Sequence, residues 1–355
     1  MPTAPIIPVF LSGGGGLRLW PLSHSGKPKQ FLKLAGDQTL FQQALERVED
    51  PARFARPIVI GGAAHEALIR EQLAEIGREA DLILEPAARD TAPAVAAALL
   101  ECAARDPSAM ALVMPTDHAV GRREAFLDVV AAGATAAAEG SIVLFGVLPD
   151  HPAIGYGYIR PTEAAGRVKP VARFEEKPDA KRAAELIAEG CLWNSGMFLM
   201  PVRQTLEELE RHAPDVLHAA QKAWRTGHRG PGCLKLDKAA FVHAPKIAID
   251  RALMERTDRC AVAPVDMDWA DLGSWSSLWK AGKKDASGAV SDGSVTLHDV
   301  QNVLVRAEGL SVTAIGVEDL IIVATPQGVL VAKRGRDEEV KALLDKMASP
   351  PASEA

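Results

Sequence analysis

The sequence predicts a doubly wound α/β fold with a mainly parallel sheet, followed by a small all-β unit. Three observations carry that prediction. Short continuous apolar runs alternate with helical patterns through the first half. A glycine-rich stretch follows the first of those runs, and after residue 284 the helical pattern gives way to recurring strand-like segments. Uninterrupted apolar runs, rather than alternating ones, mark strands covered on both faces, which is the pattern of a parallel sheet between layers of helix.

The elements follow in order. IIPVFL (Ile6 to Leu11) reads as a strand and TLFQQALERV (Thr39 to Val48) as a helix, with Thr39 and Gln42 at capping-box spacing. PIVIGG (Pro57 to Gly62) precedes HEALIREQLAEI, DLILEP (Asp81 to Pro86) precedes TAPAVAAALLECAA, and MALVMP (Met110 to Pro115) precedes EAFLDVVAAGATAAAE. SIVLFGV (Ser141 to Val147) closes the alternation. In the middle, YGYIRP, VARFEEKP and LWNSGMFLM read as strands, interleaved with helices near 180–190, 202–226 and 246–256. The segments SVTLHD, NVLVRAEG, LSVTAIG, LIIVATP and GVLVAKR then read as separate short strands at the even spacing of a small all-β unit or an incomplete β-helix. A charged helix, DEEVKALLDKM, ends the fold. The predicted division is residues 1–284 as a catalytic domain, 285–347 as the β unit and 348–355 as a disordered tail.

Composition narrows the function classes. Of 355 residues, 48% are apolar and 24% charged, ordinary values for a globular protein with a large core. A net charge of −6, with no basic run longer than Lys283-Lys284, argues against a nucleic-acid surface, so a phosphorylated ligand needs a locally positive pocket. The cysteines (Cys102, Cys191, Cys233, Cys260) are scattered, without zinc spacing, as expected of reduced thiols in a cytoplasmic protein. No apolar stretch is long enough to span a membrane, and the N-terminus lacks a secretory pattern.

The stretch LSGGGGLRLWPLS (Leu11 to Ser23) is the first candidate site. In an open α/β sheet, ligands sit beyond the carboxyl ends of the strands, so glycines there bring backbone N–H groups close to an anion. A GxGxxG reading fails, because the last position falls on Arg18 or Leu19, and no Gly-Lys-Ser/Thr follows for a Walker loop. Instead Gly13, Gly14, Gly15 and Gly16 are followed by Arg18 and then Lys29. Backbone donors, a planar guanidinium and a mobile ammonium together suit a polyphosphate. The plainer alternative is a flexible turn with Arg18 solvated and Lys29 on a surface loop.

These residues resemble the signature of the sugar nucleotidyltransferases, in the LSGGxGxRLWPLS…PKQFL form of mannose-1-phosphate guanylyltransferases. Further matches come in family order: EPAARDTAPAVAAA, PTDHAV, HPAIGYGYI, FEEKPD, LWNSGMF, IDRALMERT and DWADLGSWSSLW. Leu17, Asp90 and Ile154 depart from the family's Thr, Asn and Thr, which bears on nucleotide affinity and base preference. Longer family members add a phosphomannose isomerase domain for which this chain is too short.

The resemblance implies a Rossmann-like nucleotidyltransferase domain with a partial β-helix. It also implies transfer from GTP to mannose 1-phosphate with Mg²⁺, for which Mn²⁺ substitutes. Arg18, Lys29, Asp117, Lys177 and Asp271 are then the catalytic set, with Asp117 and Asp271 holding the metal. Leu11, the four glycines, Glu85, Arg89, Thr91 and Pro115 join Arg18, Lys29 and Asp117 around the nucleotide; Gly155, Tyr156, Gly157, Glu176, Lys177 and Asn194 surround the sugar phosphate.

The residue types allow this chemistry, since Mg²⁺ takes one or two carboxylates plus phosphate oxygens. Facing carboxylates at an empty metal site repel one another, so removing one is expected to preserve or raise stability. Asp271 as a simple cap of the helix near Gly273, Asp117 as a turn residue and Glu176-Lys177 as a solvated charge pair are the plainer readings. Trp193, Met197, Trp269, Trp275 and Trp279 are read as packing residues and His118 as a neighbour of the metal rather than a ligand. A different sugar 1-phosphate or nucleotide, or an inactive homologue that binds GDP-mannose, stands as the alternative function. The segments LIIVATP and GVLVAKR are expected at a homodimer interface.

Overall fold

The computed structural model describes residues 5–14 and 17–348; Gly15, Gly16 and the tail 349–355 lie outside the described residues. The strands in chain order are β1 (Ile6–Ser12), β2 (Ile58–Gly62), β3 (Asp81–Glu85), β4 (Met110–Pro115), β5 (His118–Val120) and β6 (Ile142–Val147). They continue with β7 (Gly157–Pro161), β8 (Lys169–Glu176), β9 (Leu192–Pro201), β10 (His228–Gly230), β11 (Cys233–Lys235) and β12 (Cys260–Pro264). The last five are β13 (Trp269–Asp271), β14 (Val290–His298), β15 (Leu304–Ile315), β16 (Leu320–Thr325) and β17 (Gly328–Lys333).

The chain forms two compact units that do not follow chain order. Among the described residues, the first takes 5–13, 41–116 and 120–269; the second takes 14, 17–40, 117–119 and 270–348.

The first unit is built on an 11-stranded sheet in the order β10-β11-β3-β2-β1-β4-β9-β6-β12-β8-β7. β1, β2, β3 and β4 run parallel, as the continuous apolar runs predict, while β9 is antiparallel to both β4 and β6 and makes the sheet mixed. Leu11 pairs with Pro115 at the carboxyl ends of β1 and β4, and the Leu11 carbonyl accepts from both the Thr116 amide (3.2 Å) and hydroxyl (3.1 Å). The core is the sheet packed against helices such as Thr91–Arg105, whose run from Ala92 to Leu99 is buried throughout.

Several elements differ from the sequence expectation. The helical stretch 202–226 is two helices, Val202–His212 and Pro214–Arg225, broken at Ala213. The residue before a proline is pushed out of the helical region, and Ala213 has φ −147°, ψ 54°. The stretch 246–256 contains a short π-helix, Asp250–Met254. Strands β10 and β11 escaped the reading because they are brief and His228–Gly230 is exposed, leaving no periodic signal.

The second unit carries a four-stranded sheet, β14-β15-β16-β17. The first three strands are mutually parallel and β17 is antiparallel to β16. Consecutive parallel strands without crossover helices are the coil-like wrapping expected of a partial β-helix. NVLVRAEG and LSVTAIG form one long strand, β15, rather than two, because β14 continues to pair with it across a register shift between Gly293 and Val295. The core of this unit joins Leu19, Leu22 and Leu32 to Leu272, Trp275, Leu304, Ile321 and Val323. The segment after the glycine stretch therefore packs on the C-terminal strands, a partnership across most of the sequence.

Candidate active site

The second unit contains the charged cluster. Lys29 lies on the 3₁₀ turn Lys29–Phe31 and its side chain is only 6% exposed. Its ammonium lies 2.8 Å from Asp271 Oδ1 and 3.2 Å from Asp117 Oδ2. Asp117 follows β4, Asp271 ends β13, and β5 pairs with β13. His118 Nε2 stands 3.7 Å from Asp117 Oδ1 and 4.0 Å from Asp271 Oδ1. Burial pulls the Lys29 pKa down, but Asp117 and Asp271 together outweigh it and leave it raised. Removal from water raises Asp117, and the charges on Lys29 and His118 overcome that and hold it below the usual carboxylate range.

This arrangement corrects one expectation and removes one of the plainer readings. The acidic pair does not face itself across empty space: the Lys29 ammonium lies between the two carboxylates and offsets part of their charge, so removing either carboxylate breaks an ion pair. Nor does Asp271 cap the following helix. Ser274 does, in a reciprocal capping box with Ser277. Freed from that role, the Asp271 carboxylate is 28% exposed, and a Cβ at Gly273 would crowd its oxygens at 3.2 and 3.3 Å.

The cluster also has the geometry to hold a divalent ion. Asp117, His118 and Asp271 offer ligand atoms within 4.8 Å of one another, and both carboxylates already converge on one cationic nitrogen. The two carboxylates suit a small hard ion completing its shell with phosphate oxygens and water, with the His118 imidazole beside it rather than on it.

Arg18 is exposed on the 3₁₀ turn Leu17–Leu19. Gly13 and Gly14 are exposed, and an added Cβ would meet nothing within 4 Å at either; Gly14 adopts φ +95°, which disfavours other residues.

In the first unit, Glu85 ends β3 and burial pushes its carboxyl up to about 7. Donors such as guanine N1–H and N2–H₂ would favour its charged form. The Arg89 guanidinium donates to the Val242 carbonyl, leaving its buried Nε without a partner. The Thr91 hydroxyl accepts from the Ile249 amide at 2.9 Å. Asp90, at φ 63°, caps the helix by accepting from the Thr91 amide at 2.8 Å.

The residues expected around the sugar phosphate gather elsewhere in the first unit. β8 ends at Glu176, and Lys177 adopts φ 51°, breaking the strand alternation that would aim neighbouring side chains to opposite faces. Lys177 Nζ contacts Glu176 Oε1 at 2.7 Å, with the lysine side chain 53% exposed and the glutamate 6%. Gly157 is required to be small, since a Cβ would lie 2.6 Å from Glu176 Oε2 and 3.3 Å from Asn194 Cβ. Gly155 is exposed with nothing within 4 Å of such a Cβ. The Tyr156 carbonyl accepts from the Lys177 amide at 3.2 Å, and its ring meets Trp193 and Trp269 edge-on at 5.0 and 5.3 Å. Trp193, Met197 and Trp275 are buried, as packing residues should be.

Sequence reasoning missed Asp250. Its Oδ1 accepts from Asn194 Nδ2 at 2.7 Å, and burial, then the neighbouring Glu176 charge, raise its pKa to about 7. The only signal was its place in IDRALMERT, a motif from which no residue was chosen.

Residues 7–288 match the nucleotidyl transferase family model, and residues 293–347 match the MannoseP isomerase/GMP-like beta-helix domain. The chain belongs to the nucleotidyl transferase family and is a nucleotidyltransferase. Within it, the mannose-1-phosphate guanylyltransferases are its relatives, one from Escherichia coli being 38% identical over 95% of this chain and 72% of that protein. The alginate biosynthesis protein AlgA of Pseudomonas aeruginosa is 41% identical over 95% of this chain and 71% of its own length. A Thermus thermophilus crystal structure, described as a mannose-1-phosphate geranyltransferase, has a TM-score of 0.86 at 30% identity, covering 97% of this chain and 99% of that one. Among the described residues no helix is long and apolar enough to cross a membrane.

Proposed function

We propose that this nucleotidyltransferase is a cytoplasmic mannose-1-phosphate guanylyltransferase, converting GTP and α-D-mannose 1-phosphate to GDP-mannose and pyrophosphate. The observation that carries the reading is the convergence of Asp117 and Asp271 on a single cationic centre, the Lys29 ammonium. The names of the relatives favour guanine and mannose over other bases and sugars.

A phosphate oxygen of the sugar phosphate forms the new bond to the α-phosphorus as the bond to the β-phosphate oxygen breaks and pyrophosphate departs. Both substrates are polyanions, so catalysis consists of positioning and charge neutralisation, without a covalent nucleophile. Arg18, Lys29 and the amides of the glycine stretch bind the triphosphate, and Glu85 and Arg89 read the base. Lys177 pairs the sugar phosphate, while Glu176, Asn194 and the Gly155–Gly157 backbone hold the hydroxyls. Asp117 and Asp271 would hold Mg²⁺ or Mn²⁺, which supplies neutralisation of the charge on the phosphate oxygens. Lys29 must then release those carboxylates toward phosphate.

A homodimer is part of the proposal. Ile321 and Val323 of β16 are taken up in the unit's own core, whereas Val329 and Val331 of β17, 57% and 62% exposed, offer the apolar surface.

The test is pyrophosphate release across a panel of nucleoside triphosphates and sugar 1-phosphates, with and without Mg²⁺. GTP with mannose 1-phosphate should give the highest kcat/KM, with some leakage to glucose 1-phosphate. A preference for UTP or dTTP overturns the assignment.

A further inference from the structure

We infer that Asp250 is the positioning residue that sets sugar specificity, by fixing the orientation of the Asn194 amide. The inference rests on the proposed sugar pocket and goes beyond it, since Asp250 carries no role there. Asn194 is 8% exposed, and both ends of its amide are engaged: Nδ2 donates to Asp250 Oδ1 at 2.7 Å, and Oδ1 accepts from the Gly196 amide at 3.0 Å. Flipping the amide would set its oxygen against the Asp250 carboxyl oxygen and its NH₂ against the Gly196 N–H. The clash with the Gly196 N–H is repulsive whether or not Asp250 carries a proton, so one orientation survives.

What the pinned amide keeps is one N–H and one lone pair, a donor and an acceptor at fixed places. A sugar whose hydroxyls match both is held; an epimer leaves one of them unpaired, which is the strong form of discrimination.

The supports of Asp250 are equally fixed. It opens the π-helix Asp250–Met254, a rare turn that recurs at functional sites, and Ala252, Leu253 and Met254 anchor that turn in the core. The preceding residue, Ile249, is tied through its amide to Thr91 Oγ1 at 2.9 Å. Glu176, Lys177 and Asn194 supply the remaining polar surroundings of the carboxyl, which burial and Glu176 hold near neutrality. Asp250 therefore orients and does not itself need to touch the sugar.

Steady-state kinetics on Asp250→Ala test this, with the epimer ratio taken between whichever sugar 1-phosphate the wild type prefers and its epimer. The sugar 1-phosphate KM should rise about tenfold or more, with the epimer ratio falling by a similar factor, while kcat and the GTP KM change little. Asp250→Asn, whose amide oxygen accepts the same bond, should restore most of both. An unchanged sugar KM and epimer ratio in folded Asp250→Ala overturns the inference, as does an equal loss toward GTP, which marks a merely structural role. Should Asp250→Ala not fold, Asp250→Ser, too short to reach Asn194, is read by the same criteria. Failure of the mannose reading appears in the wild type as a different preferred sugar; failure of this inference appears only in the variants.

Discussion

The molecule holds two carboxylate pairs in opposite electrostatic states. Asp117 and Asp271 share the ammonium of Lys29, which is 6% exposed, and Asp117 is held below its ordinary range. Glu176 and Asp250 have as their cation Lys177, which is 53% exposed, and Asp250 is pushed up to about 7. The chemistry is the same and the position of the lysine differs. A buried cation fixes negative charge in place, which suits exchange of that cation for a metal. A cation at the rim, paired with Glu176, leaves the buried Asp250 carboxyl near neutrality, where it accepts from the Asn194 amide. Charge placement, not residue type, separates the Asp117–Asp271 pair from the Glu176–Asp250 pair.

That contrast is broken most severely at the first pair. Asp117→Asn and Asp271→Asn should each lower kcat on the order of 10²-fold or more, measured by pyrophosphate release. Because both act through one ion, the double variant should be little worse than the worse single one; strictly multiplicative losses would refute a shared ion. A silent Asp271→Asn would also refute it.

At the second pair the lysine itself is the probe. Lys177→Ala should raise the sugar 1-phosphate KM by a factor corresponding to about 1.5–3 kcal/mol, with kcat lowered and GTP binding retained by calorimetry. Unchanged sugar kinetics would return Lys177 to an ordinary surface charge.

The smallest effect sharpens the comparison without catalysis. Lys29→Met removes the shared cation and should destabilise the ligand-free protein by about 1–3 kcal/mol at neutral pH, measured by denaturant unfolding. The depressed Asp117 contributes stability above its unfolded pKa and loses it as pH falls through the folded value. The raised Lys29 contributes below its unfolded pKa and loses it as pH rises through its folded one. The deficit of Lys29→Met should therefore be full between about pH 4 and pH 10 and shrink outside that window. In the same variant Mn²⁺ should bind more tightly in the absence of nucleotide, read by electron paramagnetic resonance. Weaker binding would mean that Lys29 helps build the ion site rather than occupying its place.

Much of this was legible in the sequence because it is local. Apolar runs such as IIPVFL and MALVMP, covered on both faces, announce parallel strands whatever surrounds them, and β1 and β4 are neighbours in the sheet. Sequence motifs in a fixed order, from the stretch holding Arg18 through that holding Asp271, announce the family. The break at Ala213 was also local, since Pro214 stands beside it, and it was missed only because the apolar period runs through it.

What tertiary structure alone decided is the partnership of distant residues. No spacing in the sequence says that Lys29 lies between Asp117 and Asp271, and a pairwise view of those carboxylates predicts repulsion where the fold supplies an ion pair. Nor does any local pattern assign residues 14–40 to the unit of the C-terminal strands; Leu19, Leu22 and Leu32 find Trp275, Leu304 and Ile321 only after the chain has folded. Asp250 was invisible for the same reason, because its meaning is its contact with Asn194 and its nearness to Glu176. Periodicity and propensity are short-range properties of a chain, whereas burial and Coulomb energy depend on which groups the fold brings within a few ångströms.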